Sequence, residues 1–248
     1  GDNPWDSWAN SSEDKNGKIL SGWKLRNSNK PARIPEKHSE TSFMTNRAIE
    51  FIEESSDRPW FLHLSYIKPH WPYIAPAPYH NMFSQNQFSP VQRSESQKKD
   101  MNPVYKAFVE TRVSKTFSKD EVRNTVMSGY MGLIKQIDDN LGRLFKFLEN
   151  SGHMEDTMII FTSDHGDYQG DHWLGEKELF HEQSVRVPMI IYDPSEYANN
   201  TRGTKEQRFI EAIDLLPTFL DVVESPVSKH RLEGNSLMPV LKDKTQKI

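Results

Sequence analysis

The sequence predicts an α/β fold, and three observations carry the prediction. Apolar residues recur at helical spacing over residues 39–55 and, at much greater length, over residues 118–152. Short apolar runs without clean alternation lie at 60–66 (WFLHLSY), 157–163 (TMIIFTS) and 188–192 (PMIIY), the pattern of strands covered on both faces. The two kinds of segment alternate along the chain, which implies helices flanking a largely parallel central sheet, with right-handed crossovers where strands run parallel.

Each element has its own local reasons. Residues 1–38 are rich in Asn, Ser, Gly, Pro and charge, so they are expected to be loop, anchored by Trp5, Trp8 and Trp23. Phe43, Met44, Ala48 and Ile52 form the apolar face of the first helix, and the SSDRP that follows stops it. The 60–66 run is expected to be a central strand. A polar, proline-punctuated stretch then covers residues 68–118, with Pro69, Pro72, Pro76, Pro78, Pro90 and Pro103. Stretches of that length without periodicity tend to be lids, binding loops or subunit arms, so a loop or arm is expected at about 71–118. Ser118 and Glu121 have capping-box spacing, and Val122, Val126, Tyr130, Ile134, Ile137, Leu141, Leu144, Phe145 and Leu148 form a stripe ending near Gly152. Asp214 precedes a last helical segment, LLPTFLDVVE, in which Pro217 falls in the tolerated first turn.

Composition bounds the function. A chain of 248 residues can bury roughly 70 to 75 % of its unfolded surface as one large domain. The mean hydropathy of −0.76 is polar for a compact enzyme and suggests long surface loops or a piece of something larger. The 31 Lys and Arg against 35 Asp and Glu give a net charge of −4, and no basic run has the density of a nucleic-acid binder. With no cysteine, disulfides, thiolate metal sites and a cysteine nucleophile within these residues are excluded. No apolar stretch approaches the ~18 residues needed to span a bilayer, so the chain reads as soluble and no membrane partner is expected. The redox compartment stays open.

Chemistry concentrates between the second and third apolar runs, in FTSDHGDYQGDHWLGEKELF. A strand ending at Ser163 delivers Asp164 and His165 at its carboxyl end, where open α/β sheets place their ligand sites. A hard carboxylate oxygen beside a borderline imidazole nitrogen suits Zn²⁺ or Mn²⁺ better than pure calcium chemistry, although Ca²⁺ stays an option. An isolated Asp-His pair is more often a turn cap and a surface histidine. His172 and His181 are expected to give packing or support, Asp167 and Asp171 to cap loops, and Asp138 and Asp139 to be solvated or structural.

The order of motifs decides between these readings. SDHG after an apolar strand, then GDHWLGEK, then RVPMII resembles the C-terminal signature of the sulfatases of the alkaline phosphatase superfamily, most closely the phosphonate monoester hydrolase and arylsulfatase-like branch. FLHLSYIKPHWPYIAPAPYHNMF resembles that branch's substrate-histidine segment, YMGLIKQIDDNLGRL its long helix, and IDLLPTFLDVV with LEGNSLMPVL its closing elements. The resemblance implies an alkaline-phosphatase-like sandwich with the N-terminal part of the fold missing, and metal-dependent hydrolysis of small anionic sulfate, phosphonate or phosphate esters. It also implies that Asp164 and His165 ligate a divalent metal, that Lys177 contacts the ester's anionic oxygens, and that His70 lies near the leaving group. The roles are chemically coherent. A metal and an ammonium offset charge on nonbridging oxygens, and an imidazole titrates near neutrality, as a proton donor to a leaving alkoxide should.

The same resemblance implies a formylglycine nucleophile, matured from a C/S-x-P-x-R motif, and further metal carboxylates after the first strand. Neither is present. SPVQR at 89–93 and SNKPAR at 28–33 have proline at the wrong offset. DNPWDSWAN would fall in the middle of the family pattern, so the expectation is a C-terminal portion that pairs with its own missing N-terminal half and is inactive alone. Bacterial origin, in cytoplasm or periplasm, is expected. Two alternatives remain: a noncatalytic assembly or binding fragment that forms a homo-oligomer through the 71–118 arm, and an unrelated binuclear metallohydrolase built on His165, His172 and His181.

Overall fold

A computed structural model describes residues 5–227 and 229–243. In chain order the strands and α-helices are β1 (Ser11–Glu13), β2 (Ile19–Ser21), α1 (Glu40–Glu54), α2 (Pro103–Val109), α3 (Arg112–Phe117), α4 (Asp120–Ser151), β3 (Ile159–Thr162), α5 (Glu182–Val185), β4 (Met189–Tyr192), α6 (Leu215–Val222) and α7 (Met238–Lys242). The chain divides into two compact units, one of residues 1–147 and 165–186, the other of residues 148–164 and 187–248.

The first unit is organised by α4. Its 32 residues match the long helix read from the apolar stripe, but the buried face is rotated from that stripe. Ile134 is 37 % exposed, whereas Arg123, Gln136 and Asn140 are buried. These polar groups are satisfied, as burial requires. Gln136 Nε2 donates to Ser39 Oγ (2.6 Å) and Asn140 Nδ2 to Gln136 O (2.9 Å). Arg123 donates to the carbonyls of Gln169 (3.0 Å) and Ser89 (3.1 Å). Val126 joins Leu25, Tyr73 and Phe117 in the core, and Leu133 packs with Ala75 and Tyr79. Two glycines set how closely the 73–79 segment approaches. A Cβ on Gly129 would lie 2.3 Å from the Tyr73 carbonyl oxygen, and one on Gly132 would lie 2.3 Å from that of Tyr79.

Several expectations are corrected here. The α4 start lacks the expected capping box, because Ser118 Oγ donates back to Ser114 O (2.9 Å) and so closes α3 instead. Residues 60–66 enter no ladder among the described residues. They alternate half-buried and exposed, the period of an extended chain. One face meets α1, through the Trp60–Phe51 ring contact at 6.3 Å and the Tyr66–Thr45 hydroxyl pair at 2.7 Å. The 71–118 stretch is not featureless, since it contains α2 and α3, each N-capped by a side chain, Asn102 and Thr111. In the N-terminal loop Trp23 packs edge-on to Trp71 at 5.8 Å, but Trp5 and Trp8 are 70 % and 63 % exposed. The same stretch folds into the β1–β2 hairpin. Asp14 closes its turn by accepting from the amides of Asn16 (2.8 Å) and Lys18 (3.0 Å).

In the second unit β3 and β4 form where the apolar runs predict strands, and they pair antiparallel from Ile159↔Tyr192 to Thr162↔Met189. β1 and β2 are also antiparallel, and the parallel pairing the described residues make is a single bridge, Ala32↔Pro76. The expected burial on both faces is not met, because Phe161 and Ile190 are 36 % and 63 % exposed. A two-stranded ladder has too few neighbours to cover both faces. α6 follows the predicted segment, and buried Asp214 holds it by accepting from the amides of Glu211 and Asn235, both at 2.8 Å.

The glycine notch yields a contrast within one helix. Gly129→Ala or Gly132→Ala should destabilise the protein by about 1–3 kcal/mol, because overpacking against backbone exceeds the gain in helix propensity. Gly142 has nothing within 4 Å of its added Cβ, so Gly142→Ala should stabilise by about 0.5–1 kcal/mol. Thermal melts of the three variants check this, and equal shifts would remove the notch as a determinant.

Candidate active site

His70 sits on a turn that its neighbours hold from beneath. His70 N donates to Ile67 O (3.1 Å), and Lys68 Nζ spans the turn to Pro72 O (2.9 Å). Burial pushes the Lys68 ammonium down to about 8, against a raising influence from Glu40. Beyond the turn, Tyr73, Ile74 and Ala75 are buried, which fixes the turn to the glycine face of α4.

Lys177 and His165 come from the other loop, 165–177. Its backbone is unusual, since Gln169, His172, Trp173 and Glu176 have positive φ without being glycine. Such residues cost roughly 1–2 kcal/mol each in a left-handed conformation, so the surroundings must hold the loop. Tyr168 N donates to Glu176 O (2.8 Å), Gly166 N to Ser184 O (2.7 Å) and Ser184 Oγ to Lys177 O (2.6 Å). Asp167 caps the inner end by accepting from Gln169 N (3.0 Å) and the Tyr73 hydroxyl (2.5 Å). Burial raises the Asp167 carboxyl above its usual range, opposed by those hydrogen bonds.

The two loops meet at His70 and Lys177. Lys177 Nζ lies 3.3 Å from His70 Nε2, across 107 positions of sequence. An ammonium has donors only, so Nε2 accepts and the ring proton sits on Nδ1. The second contact agrees, with His70 Nδ1 2.7 Å from Trp71 O. The His165 ring is 6.4 Å from that of His70, edge to face. Its Nδ1 lies 2.7 Å from Gly166 O, a bond that places the lone pair on Nε2 as metal ligation requires. Three of the four residues singled out from sequence therefore lie together in the first unit. Asp164 belongs to the second unit, where its Oδ1 accepts from Ser163 Oγ at 3.4 Å.

Among the described residues no group of three His, Cys, Asp or Glu is placed to hold a metal ion. The donor chemistry of Asp164 and His165 fits part of an N/O coordination sphere. The self-contained cluster of His165, His172 and His181 is not formed. His172 is tied at both nitrogens, Nδ1 to Gln97 Nε2 (2.8 Å) and Nε2 to Gln183 Oε1 (3.1 Å), and stacks on His181 at 4.2 Å. His181 Nδ1 pairs with the Tyr168 hydroxyl at 2.9 Å. Burial, then the neighbouring His172, lowers the His181 imidazole below its ordinary value. Both histidines thus pack, as expected. Asp138 and Asp139 are structural too, paired with Lys135 at 2.9 and 2.5 Å.

Sequence reading missed the residues around Trp173. Lys98 Nζ and the Arg93 guanidinium lie 3.3 and 4.5 Å from its ring centroid. Its Nε1 donates to Ser94 O (2.9 Å), and the Tyr105 hydroxyl donates to His172 O (2.6 Å). These contacts join residues distant in sequence through backbone carbonyls and ring faces, which leave no periodic trace.

Residues 2–225 match the profile of the Sulfatase family. The chain belongs to the sulfatase family. It is 36 % identical over 225 residues to the multifunctional alkaline phosphatase superfamily protein PehA of Trinickia caryophylli, covering 86 % of this chain and 43 % of PehA. It is 29 % identical to an arylsulfatase of Clostridium perfringens, covering 82 % of this chain and 42 % of that protein. Among solved structures, the phosphonate monoester hydrolase SpPMH from Silicibacter pomeroyi superposes with a TM-score of 0.79 at 27 % identity, over 98 % of this chain and 47 % of that one. The fold is thus the α/β alkaline-phosphatase-like one of these sulfatases and hydrolases, and the chain spans less than half the length of these three relatives. No helix among the described residues of this sulfatase-family chain is long and apolar enough to cross a membrane.

Beside Lys177, Glu176 is pushed up to about 7, first by burial, then by the hydrogen bond and charge of Glu178 and by Asp167, against the lowering influence of Lys177. Between the ordinary 4.5 and about 7 the folded state keeps a proton that the unfolded state releases. Its stabilising contribution is therefore full below 4.5 and lost as pH rises to about 7. Glu176→Gln should flatten this fall, with the largest gain in Tm over the parent at high pH. Melts at about pH 5 and about pH 8 check it, and an unchanged slope contradicts the assignment.

Proposed function

We propose that this chain supplies the leaving-group and anion-binding part of an active site that hydrolyses sulfate, phosphonate or phosphate esters with a divalent metal. The observation that carries the reading is the contact between His70 Nε2 and Lys177 Nζ at 3.3 Å, two residues brought together from separate loops of a sulfatase-family chain. Lys177 directs its ammonium at the nonbridging oxygens of the tetrahedral centre, where it offsets charge that grows in the transition state. His70 serves the bridging oxygen of the leaving group. In the geometry described its Nε2 accepts from Lys177, so it must take up a proton from solvent before it can donate one, and the Lys177 ammonium keeps its charge for the anionic oxygens.

Asp164 and His165, consecutive at the end of β3, are the proposed metal ligands, with Zn²⁺ or Mn²⁺ favoured by the imidazole and Ca²⁺ the alternative. A metal held by these two residues would supply Lewis-acid polarisation of the ester. No residue of this chain is assigned as that nucleophile, and a formylglycine is the group the family resemblance implies. The homo-oligomer reading of the 71–118 arm is weaker, because Arg93, Gln97, Lys98 and Tyr105 are engaged with His172 and Trp173 of the same chain.

The test uses the intact protein and a panel of aryl sulfate, aryl phosphonate monoester and bis-aryl phosphate. Lys177→Met should lower kcat/KM by about 10²–10³ on the preferred substrate. His70→Ala should lower kcat by about 10²–10⁴, with the loss growing as the leaving group becomes more basic. Asp164→Ala should release metal, read by elemental analysis. Full rates in both the Lys177 and His70 variants would sink the proposal.

A further inference from the structure

The loop before Lys177 turns through His172 and Trp173 at φ 53° and 62°, then through Glu176 at 64°. No glycine preference of sequence explains these angles. What holds them is a set of contacts from one stretch of the arm. Gln92 O accepts from His172 N (2.9 Å), and Gln92 N donates to Asp171 Oδ1 (2.9 Å). Ser94 O takes the Trp173 indole N–H, while Arg93 and Lys98 stand over the indole ring. Arg93 is itself fixed, donating to the carbonyls of Phe117 (3.2 Å), Ser118 (3.0 Å) and Gly170 (3.4 Å) and to Asp120 Oδ1 (2.6 Å). Arm, α3, the start of α4 and the loop thus share one guanidinium.

We propose that residues 92–105 form a positioning clasp that acts through Trp173 to set where Lys177 points, an inference that rests on Lys177 being the anion contact. The path is short. Trp173 fixes the turn, Gly175 beyond it is pressed against Phe117, with room for no Cβ (2.5 Å to Phe117 Cδ2), and Glu176 is tied to Tyr168 by its carbonyl. The chain therefore enters Lys177 in one direction, and the ammonium reaches His70. Two cations over one indole have to be brought together against their own repulsion, which the ring face and the carbonyls around Arg93 offset. Trp173 and Lys98 contact no proposed reacting atom, so both are positioning residues.

A double-mutant cycle on the intact protein tests the clasp, with an aryl sulfate and an aryl phosphonate monoester as probes. Trp173→Leu should lower kcat/KM by roughly 10- to 100-fold through misplacement of the ammonium, and Trp173→Phe, which keeps a ring face, should recover most of that loss. In the Lys177→Met background Trp173→Leu should have no further effect beyond about twofold. A merely structural tryptophan would give the same loss in both backgrounds, and that additivity overturns the clasp. Lys98→Met removes one cation from a side chain 38 % exposed and should show the same non-additivity, so it decides the matter if Trp173→Leu fails to fold. A silent Lys177→Met would overturn the anion-contact reading and the clasp together, whereas a damaging Lys177→Met with additive partners overturns the clasp alone.

Discussion

The candidate site depends on one constraint, that both of its loops are registered against the same rigid helix. α4 presents Gly129 and Gly132 to the backbone of the 73–79 segment and, from its first turn, Arg123 to the carbonyl of Gln169. Two loops separated by about a hundred residues would meet only transiently if each were tethered by its ends alone, since closing so long a loop costs entropy with little to oppose it. Pinned to one helix, they need only be built to the right depth. The absence of side chains at the two glycines sets that depth for His70, and the length of a buried arginine sets it for the loop that carries Lys177.

This arrangement is bought with local strain. Four non-glycine residues at positive φ, a partly buried Glu176 beside two other carboxylates, and two cations over one indole are all unfavourable by themselves. The positive-φ residues, Glu176 and the indole all fall within residues 169–176, next to the lysine of the site. Elsewhere in the first unit the polar groups buried on α4 are matched to partners, and the core around Tyr73, Phe117 and Val126 is apolar. Strain concentrated in one loop, beside a helix whose buried polar groups are satisfied, is what a site needing a fixed but unfavourable geometry requires.

The elements legible in the sequence are those stabilised by their own periodicity. α1 and α4 announce themselves through apolar spacing, and β3 and β4 through short apolar runs. Direction and pairing of strands are not encoded that way, so the antiparallel β3–β4 ladder was not foreseen, nor was the exposed face of residues 60–66. Ser118 shows the limit of a local motif. Its spacing to Glu121 fits a capping box, yet α3 ends at Phe117 and claims the hydroxyl first. Within the site, His70, Lys177, Asp164 and His165 came from a resemblance in motif order rather than from any pattern of burial. The clasp left no mark at all, because a tryptophan between polar segments looks the same whether it meets cations or solvent.

The histidines show why proximity in sequence is a poor guide to role. His165, His172 and His181 lie within seventeen positions of one another, while His70 is far away, yet hydrogen bonding sorts them differently. His70 and His165 use the same device, an Nδ1 contact of 2.7 Å to the carbonyl of the next residue. That contact turns each ring and puts its lone pair on Nε2, the nitrogen that can accept a proton or a metal. His172 instead has an amide at each nitrogen, with Gln183 Nε2 oriented in turn by Asp171 Oδ2 at 3.2 Å. Those two contacts fix its tautomer, and the His181 ring lies flat against it. By that shared Nδ1 contact, the two histidines with matched tautomers in the first unit are the ones drawn from two different loops.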